Sequence, residues 1–251
     1  MHQTDKSRTV LNRLDKGKSQ MKMIGLIGGM SWESTALYYR IINEQVKQQL
    51  GGLHSARSLM YSVDFQEIEK LQVAGEWQRA GEILAEAARS LEKGGADFIV
   101  LCTNTMHKVA DQITGAVAIP LLHIADATAQ RIQSAGVKRV GLLATAFTME
   151  QEFYKGRLAQ SGIDVLVPDA SGRKTVHDII YQELCLGIIR ESSRARYREV
   201  IAELVAQGAE AIILGCTEIT LLVKPEDASV PLFDTTLIHA EDAVQLALAI
   251  K

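Results

Sequence analysis

Aromatic side chains are scarce in this sequence: Phe, Trp and Tyr together make up 5% of 251 residues. A platform that stacks the bases of single-stranded nucleic acid needs more of them. Neither sign of charge is in excess, with 27 basic against 30 acidic residues and a net charge of −3. No basic surplus is present to drive counterion release on DNA or RNA, so a nucleic-acid partner is not expected. No apolar run approaches the ~18 residues of a membrane-spanning helix, and a membrane partner is not expected either. Cysteine is rare, with only Cys102, Cys185 and Cys216. Three thiols are too few and too odd for a disulfide scaffold, which points to a reducing cytoplasm and to thiols free for chemistry. Residues 1–20 lack the apolar centre of a secretory signal and carry Lys6, Arg8, Arg13, Lys16 and Lys18. They read as a basic, disordered leader outside the fold.

What is present is apolar and periodic. Apolar residues reach 47% and charged residues 23%, enough for a large core and one or two domains. Short apolar runs alternate with helical stretches along the chain. The segments 98–101 and 212–214 are of the buried-strand type, and each follows an amphipathic stretch that stops at glycine. Apolar strands alternating with helices predict parallel sheets covered on both faces.

The chain also resembles itself. Ile24-Gly25-Leu26-Ile27-Gly28 is similar to Val140-Gly141-Leu142-Leu143-Ala144. The run from Gly95 to Leu101 is similar to that from Gly208 to Leu214, and Ile119-Pro120-Leu121-Leu122 to Val230-Pro231-Leu232-Phe233. Three matches in one order predict a duplicated α/β unit, its two three-layer halves related by a pseudo-twofold axis. A cleft is expected where the strand carboxyl ends face each other. The expected division is 21–122 plus 230–251 for one half and 123–229 for the other.

Extending the second match without gaps pairs Cys102 with Gly215, Thr103 with Cys216, Asn104 with Thr217 and Thr105 with Glu218. Each half thus carries a polar cluster just past an apolar strand, at the start of a helix. A thiol there is expected to be acidified by the helix amides, which makes it a usable base. Strand alternation turns Cys102 to the opposite face from Thr103. Cys185 lies inside a helical stretch and reads as packing.

On Gly28-Gly29-Met30-Ser31, Asn104-Thr105-Met106-His107, Thr145 with Thr148, and Gly215-Cys216-Thr217-Glu218, the chain resembles the cofactor-independent aspartate/glutamate racemase superfamily. The likeness runs from Met21 to the end and is nearest to the broad-specificity and L-aspartate/glutamate-type racemases of enteric bacteria, which implies inversion of the α-carbon of aspartate/glutamate or of a broader set of amino acids. It implies two similar α/β domains, a small amino-acid substrate between them, no pyridoxal phosphate or metal, and a homodimer. It further implies two thiols on opposite faces of the substrate α-carbon, since inversion needs a proton removed from one face and returned to the other. Carried over residue by residue, Cys216, Thr103 and Glu218 are the reacting groups. Met30, Ser31, Arg57, Asn104, Thr105, Thr145, Thr148 and Thr217 surround the substrate.

The sequence departs from that pattern at Thr103, where the family carries its first cysteine. A hydroxyl is a far weaker acid than a thiol of pKa about 8.5, and a poor base toward carbon. A catalytically weakened paralogue, or a two-domain binder of small molecules, is therefore the alternative. A second departure is Cys185, aligned with a substrate-binding lysine of aspartate-specific relatives. Two other readings are weaker. Gly25, Gly28 and Gly29 do not have dinucleotide-binding spacing. His123-x-x-Asp126 and His239-x-x-Asp242 have the spacing of a metal pair on one helix face.

Overall fold

The computed structural model describes residues 21–249; the leader expected over residues 1–20 lies outside them. Among the described residues eight strands form two parallel sheets. The first contains β1 (Ile24–Gly28), β2 (Ser58–Ser62), β3 (Phe98–Leu101) and β4 (Leu121–Leu122), in the order β2-β1-β3-β4. The second contains β5 (Arg139–Leu143), β6 (Asp164–Leu166), β7 (Ala211–Leu214) and β8 (Leu232–Asp234), in the order β6-β5-β7-β8. The two orders are the same, and helices cover both sheets. Among the described residues no helix is long and apolar enough to cross a membrane.

The duplication extends to individual hydrogen bonds. Ile99 N–H donates to Pro120 and Ile212 N–H to Pro231; Asp97 N–H donates to Met23 and Glu210 N–H to Arg139. At the carboxyl ends, Cys102 N–H donates to Ile27 and Gly215 N–H to Leu143. Cys102 and Gly215 are therefore equivalent positions, which makes Thr103 the counterpart of Cys216.

Burial explains why the strands lack polar alternation. All of β1, β3 and β7 is buried, since helices pack on both faces. On one face Ile24, Leu26, Phe98 and Val100 pack against Tyr38, Ile42 and Val46 of the helix Trp32–Leu50. On the other, Ile27, Ile99 and Leu101 pack against Leu84, Ala87, Ala88 and Leu91 of the helix Trp77–Lys93. Each such Leu, Ile or Val contributes about 1.5–3 kcal/mol by leaving water, before chain entropy is subtracted. The turn after that helix requires a missing side chain at Gly25, where a Cβ would stand 2.9 Å from that of Ala96 and 3.1 Å from Phe98 O. Gly141 in β5 makes room for a helix directly, its absent Cβ 3.2 Å from that of Leu204 on the helix Glu191–Ala206.

The chain's return to the first half differs from the sequence expectation. Residues 232–234 pair with β7 as the edge of the second sheet, not with the first half. The crossing falls at Asp234, which caps the helix Thr235–Leu248 by accepting from the N–H groups of Thr236 and Leu237. Ala240, Ala243, Val244 and Ala247 of this helix then pack with Tyr38 and Ile42 on the first sheet.

Candidate active site

The carboxyl ends of β1 and β3 face those of β5 and β7 across one cavity. Hydrogen bonds cross it between the two halves. Ser31 and Ser34 donate to Oε1 of Glu218 at 2.9 and 2.8 Å, and the hydroxyls of Thr105 and Thr145 lie 3.0 Å apart. Ser31 is the N-cap of the helix Trp32–Leu50, its Oγ accepting from Ser34 N–H. The cap thus holds two hydroxyls toward the opposite half.

Cys216 and Glu218 follow β7 directly. The thiol donates to Glu218 Oε2 at 2.9 Å, so all three bonds of this carboxylate are accepted from side-chain donors. The expected acidification of Cys216 is overturned. Burial first, and then the charge of Glu218, push its thiol well above the ordinary range. The helix that follows, Ile219–Leu222, is a single turn with a small dipole, too weak to offset those effects. Cys216 rests as a thiol hydrogen-bonded to the Glu218 carboxylate.

Thr103 lines the cavity, half-buried, from the equivalent strand end. Its carbonyl lies 2.8 Å from His107 Nδ1, and His107 Nε2 accepts from Ile124 N–H. These contacts define the tautomer: Nδ1 carries the hydrogen and donates to Thr103. Burial keeps this imidazole neutral by holding its pKa well below the usual histidine value. Cys102 points the other way, into the core with Tyr38 and Ala240, where desolvation raises its pKa. It is packing.

Asn104 is nearly fully buried in the cavity wall. Its Nδ2 donates to Thr235 Oγ1 at 3.1 Å, and that hydroxyl donates onward to Leu214. The amide orientation is thereby settled, and Oδ1 is left with no hydrogen-bond partner among the described residues. A buried acceptor in that state is set for a donor on a bound molecule.

Of the remaining expected residues, Met30, Ser31, Thr105, Thr145 and Thr217 line the cavity. Thr148 does not. It is fully buried behind Thr145 and Thr105, with its hydroxyl 3.3 and 3.5 Å from theirs, and positions them. Arg57 is not brought to the site. It is exposed at the amino end of β2, where its guanidinium donates to Met21 O, because Arg57 O accepts from the first residue of β1. Amino ends of parallel strands lie far from the face that binds.

Sequence reasoning missed Ser34, Phe65, Gln72, Ile180 and Tyr181, and read Cys185 as packing alone. Cys185 sits on the short 3-10 turn Leu184–Leu186 and lines the cavity while also touching the second core. Ser34 had a signal, the hydroxyl three residues after a capping serine. The others come from helices of both halves, and no spacing connects them.

The histidine–aspartate pairs are taken apart by other partners. His123 Nδ1 accepts from Ala125 N–H as a helix cap, while Asp126 pairs with Arg157. His239 spends one nitrogen on the Tyr38 hydroxyl and the other on Leu122 O. Among the described residues no group of three potential ligands is positioned for a metal ion.

Residues 27–243 match the Asp/Glu/hydantoin racemase family. The chain is 25% identical over 244 residues to the broad-specificity amino-acid racemase RacX of Bacillus subtilis, covering 90% of this chain and 99% of RacX. It superposes on a Yersinia pestis protein, provisionally named an Asp/Glu racemase, with a TM-score of 0.87. That protein is 62% identical, over 91% of this chain and all of the other. An aspartate racemase homologue from Pyrococcus horikoshii gives a TM-score of 0.79 at 35% identity, with 91% and 100% of the two chains covered. With its doubled parallel sheets and the thiol–carboxylate pair at the end of β7, this chain belongs to the Asp/Glu/hydantoin racemase family.

Proposed function

We propose that this protein inverts the α-carbon of amino acids by proton transfer among its own side chains. The observation that carries the reading is the pairing of Thr103 and Cys216, equivalent ends of two sheets of the same order, in one cavity. A doubled fold supplies opposed groups, and inverting a stereocentre requires opposed groups.

The polar wall orients the substrate. Asn104 Oδ1 accepts from the α-ammonium, and the hydroxyls of Thr105, Thr145 and Thr217 donate to the α-carboxylate. Each hydroxyl has a side-chain or main-chain partner that fixes it, Thr217 through Thr236 at 3.0 Å. Glu218 takes the thiol proton of Cys216, and the thiolate removes the α-proton of the L-substrate. Donors already aimed at the carboxylate stabilise the carbanion without reorganising. Reprotonation from the far face comes through the Thr103 hydroxyl or a water it holds, which makes that face the slower one. Among the described residues no lysine lines the cavity, so the proton chemistry is assigned to Cys216, Glu218 and Thr103. In this reading the protein acts in a reducing cytoplasm and, by its resemblance, as a homodimer.

The test is loss of the α-proton NMR signal from L- and D-amino acids in deuterated water, with pyridoxal phosphate excluded. Exchange that disappears in Cys216→Ser is expected; undiminished exchange in that variant would end the mechanism. The hydroxyl at Thr103 favours one second reading, a binder of amino acids with weakened catalysis. Saturable binding with no exchange for any amino acid would establish it instead.

A further inference from the structure

The duplication breaks where the chain crosses between the halves. Pro120 corresponds to Pro231, and each short strand that follows leads into a helix. The caps correspond too: His123 accepts from Ala125 N–H, and Asp234 from Thr236 N–H. After the caps the halves differ. The helix Ile124–Ser134 begins with Ile124 and Ala125, and the helix Thr235–Leu248 with Thr235 and Thr236. All four residues are fully buried. The first half starts its helix on apolar side chains, so the two hydroxyls of the second answer a different need, and each requires a partner.

Both partners stand in the cavity wall, although neither threonine lines the cavity itself. Thr235 Oγ1 spends its hydrogen on Leu214 O at 2.9 Å, and a carbonyl can only accept. Toward Asn104 the hydroxyl is therefore an acceptor, and the atom it meets at 3.1 Å is Nδ2. The opposite edge of the amide, Oδ1, is left buried and without a partner among the described residues. Leu214 ends β7, two residues before Cys216. One hydroxyl thus ties the open acceptor of the first half to the strand that carries the thiol of the second. The Thr236 hydroxyl lies 3.0 Å from that of Thr217 and holds the corresponding wall residue of the second half.

We propose that Thr235 is a positioning residue that sets the polarity of the Asn104 amide, turning its oxygen to the bound molecule and its NH2 group away. The proposal rests on the racemase reading, in which Asn104 receives the α-ammonium. An ammonium only donates, so it needs the oxygen. The oxo group of a 2-oxo acid only accepts, and at the same place it would meet that oxygen with no hydrogen between them. Without the Thr235 hydroxyl, Nδ2 has no other partner among the described residues. The amide is then free to turn over, and its NH2 group serves an oxo group as readily as its oxygen serves an ammonium. Thr235 acts through Asn104 and makes the site choose an amine over the corresponding ketone.

Thr235→Val keeps the shape of the side chain and removes the hydroxyl. Titration calorimetry compares L-glutamate with 2-oxoglutarate, and L-methionine with 4-methylthio-2-oxobutanoate. In the wild type the amino acid should bind about tenfold or more tighter than its 2-oxo partner. In Thr235→Val that ratio should fall by about tenfold, through weaker amino-acid binding and stronger 2-oxo-acid binding. For α-proton exchange KM should rise more than kcat falls. Thr235→Ser should keep the wild-type ratio, and Thr235→Ala, which differs from it by the hydroxyl alone, should lose it. Circular dichroism and the melting temperature check folding, and the serine–alanine pair decides the question if the valine variant does not fold. A ratio unchanged in the valine and alanine variants, or lost equally in the serine variant, would overturn the proposal. So would an equal loss of affinity for both ligands, which is what a merely structural role produces. Either result leaves the racemase reading intact; binding and exchange of neither amino acid would end both.

Discussion

Cys216 and Glu218 lie two residues apart just beyond β7, and the thiol of one donates to the carboxylate of the other at 2.9 Å. The same carboxylate accepts from Ser31 and Ser34 of the other half, so the thiol is tied across the cleft as well as along the chain. Burial and then the Glu218 charge raise the thiol pKa, and in the proposed mechanism the same carboxylate takes the thiol proton.

These two consequences separate in Glu218→Gln. Racemisation should fall by about 10²–10⁴, the usual contribution of a positioned base. The thiol pKa should move down, because the charge that raised it is gone. Alkylation by iodoacetamide, followed against pH, should therefore show a lower apparent pKa in the less active protein. A fall in activity with the thiol pKa unchanged or raised would mean that Glu218 only supports the loop.

Thr103 and Cys216 should produce unequal proton traffic. Equal free energies of the enantiomers require equal kcat/KM for inversion in the two directions, but exchange without inversion is not so bound. Cys216 can return a solvent proton to the face it came from, so L-substrate should lose its α-proton about tenfold or more faster than it inverts. D-substrate should show little exchange without inversion. Thr103→Cys should raise inversion. Equal washout from both enantiomers would mean that another base serves the second face.

Arg57→Ala should change kcat/KM by no more than about twofold, in keeping with an exposed position remote from the cavity. Loss of activity with any substrate would place the arginine back in the site.

Acid should unfold the protein through its buried imidazoles. His239 is fully buried between Tyr38 and Leu122, and desolvation lowers its pKa from an ordinary 6.5 to about 4. Burial likewise lowers His123 to about 4 and takes His107 down. Each is neutral in the fold, while the unfolded chain binds the proton first as pH drops. Stability is therefore complete above pH 6.5 and is lost on descending toward 4, by about 3 kcal/mol for His239 alone. Urea unfolding at intervals over that range measures it. His239→Asn should lower stability at pH 7 and flatten the decline below 6.5; an equally steep decline would assign the acid lability elsewhere.

The amino-acid sequence alone determined that there are two α/β halves, because a strand buried on both faces must be apolar throughout and must end in a turn. Those local requirements recur in order at Ile24 and Val140, at Gly95 and Gly208, and at Pro120 and Pro231. The same gapless match made Thr103 the counterpart of Cys216, as the equivalent backbone hydrogen bonds of Cys102 and Gly215 to neighbouring strands bear out. Tertiary structure decided the rest. Residues 232–234 joined the second sheet because pairing with β7 satisfies their backbone groups, and no local signal distinguishes that edge from another. Whether Cys216 is acidic depended on burial and on a carboxylate that accepts from two serines 187 and 184 residues away in the sequence. The cavity wall unites Phe65, Gln72, Tyr181 and Cys185 from segments that share no spacing, and Arg57 left the site because it falls at the wrong end of its strand. Periodicity records which face of an element is buried; which elements meet across a cleft, and with what charge, is decided only when the halves close on each other.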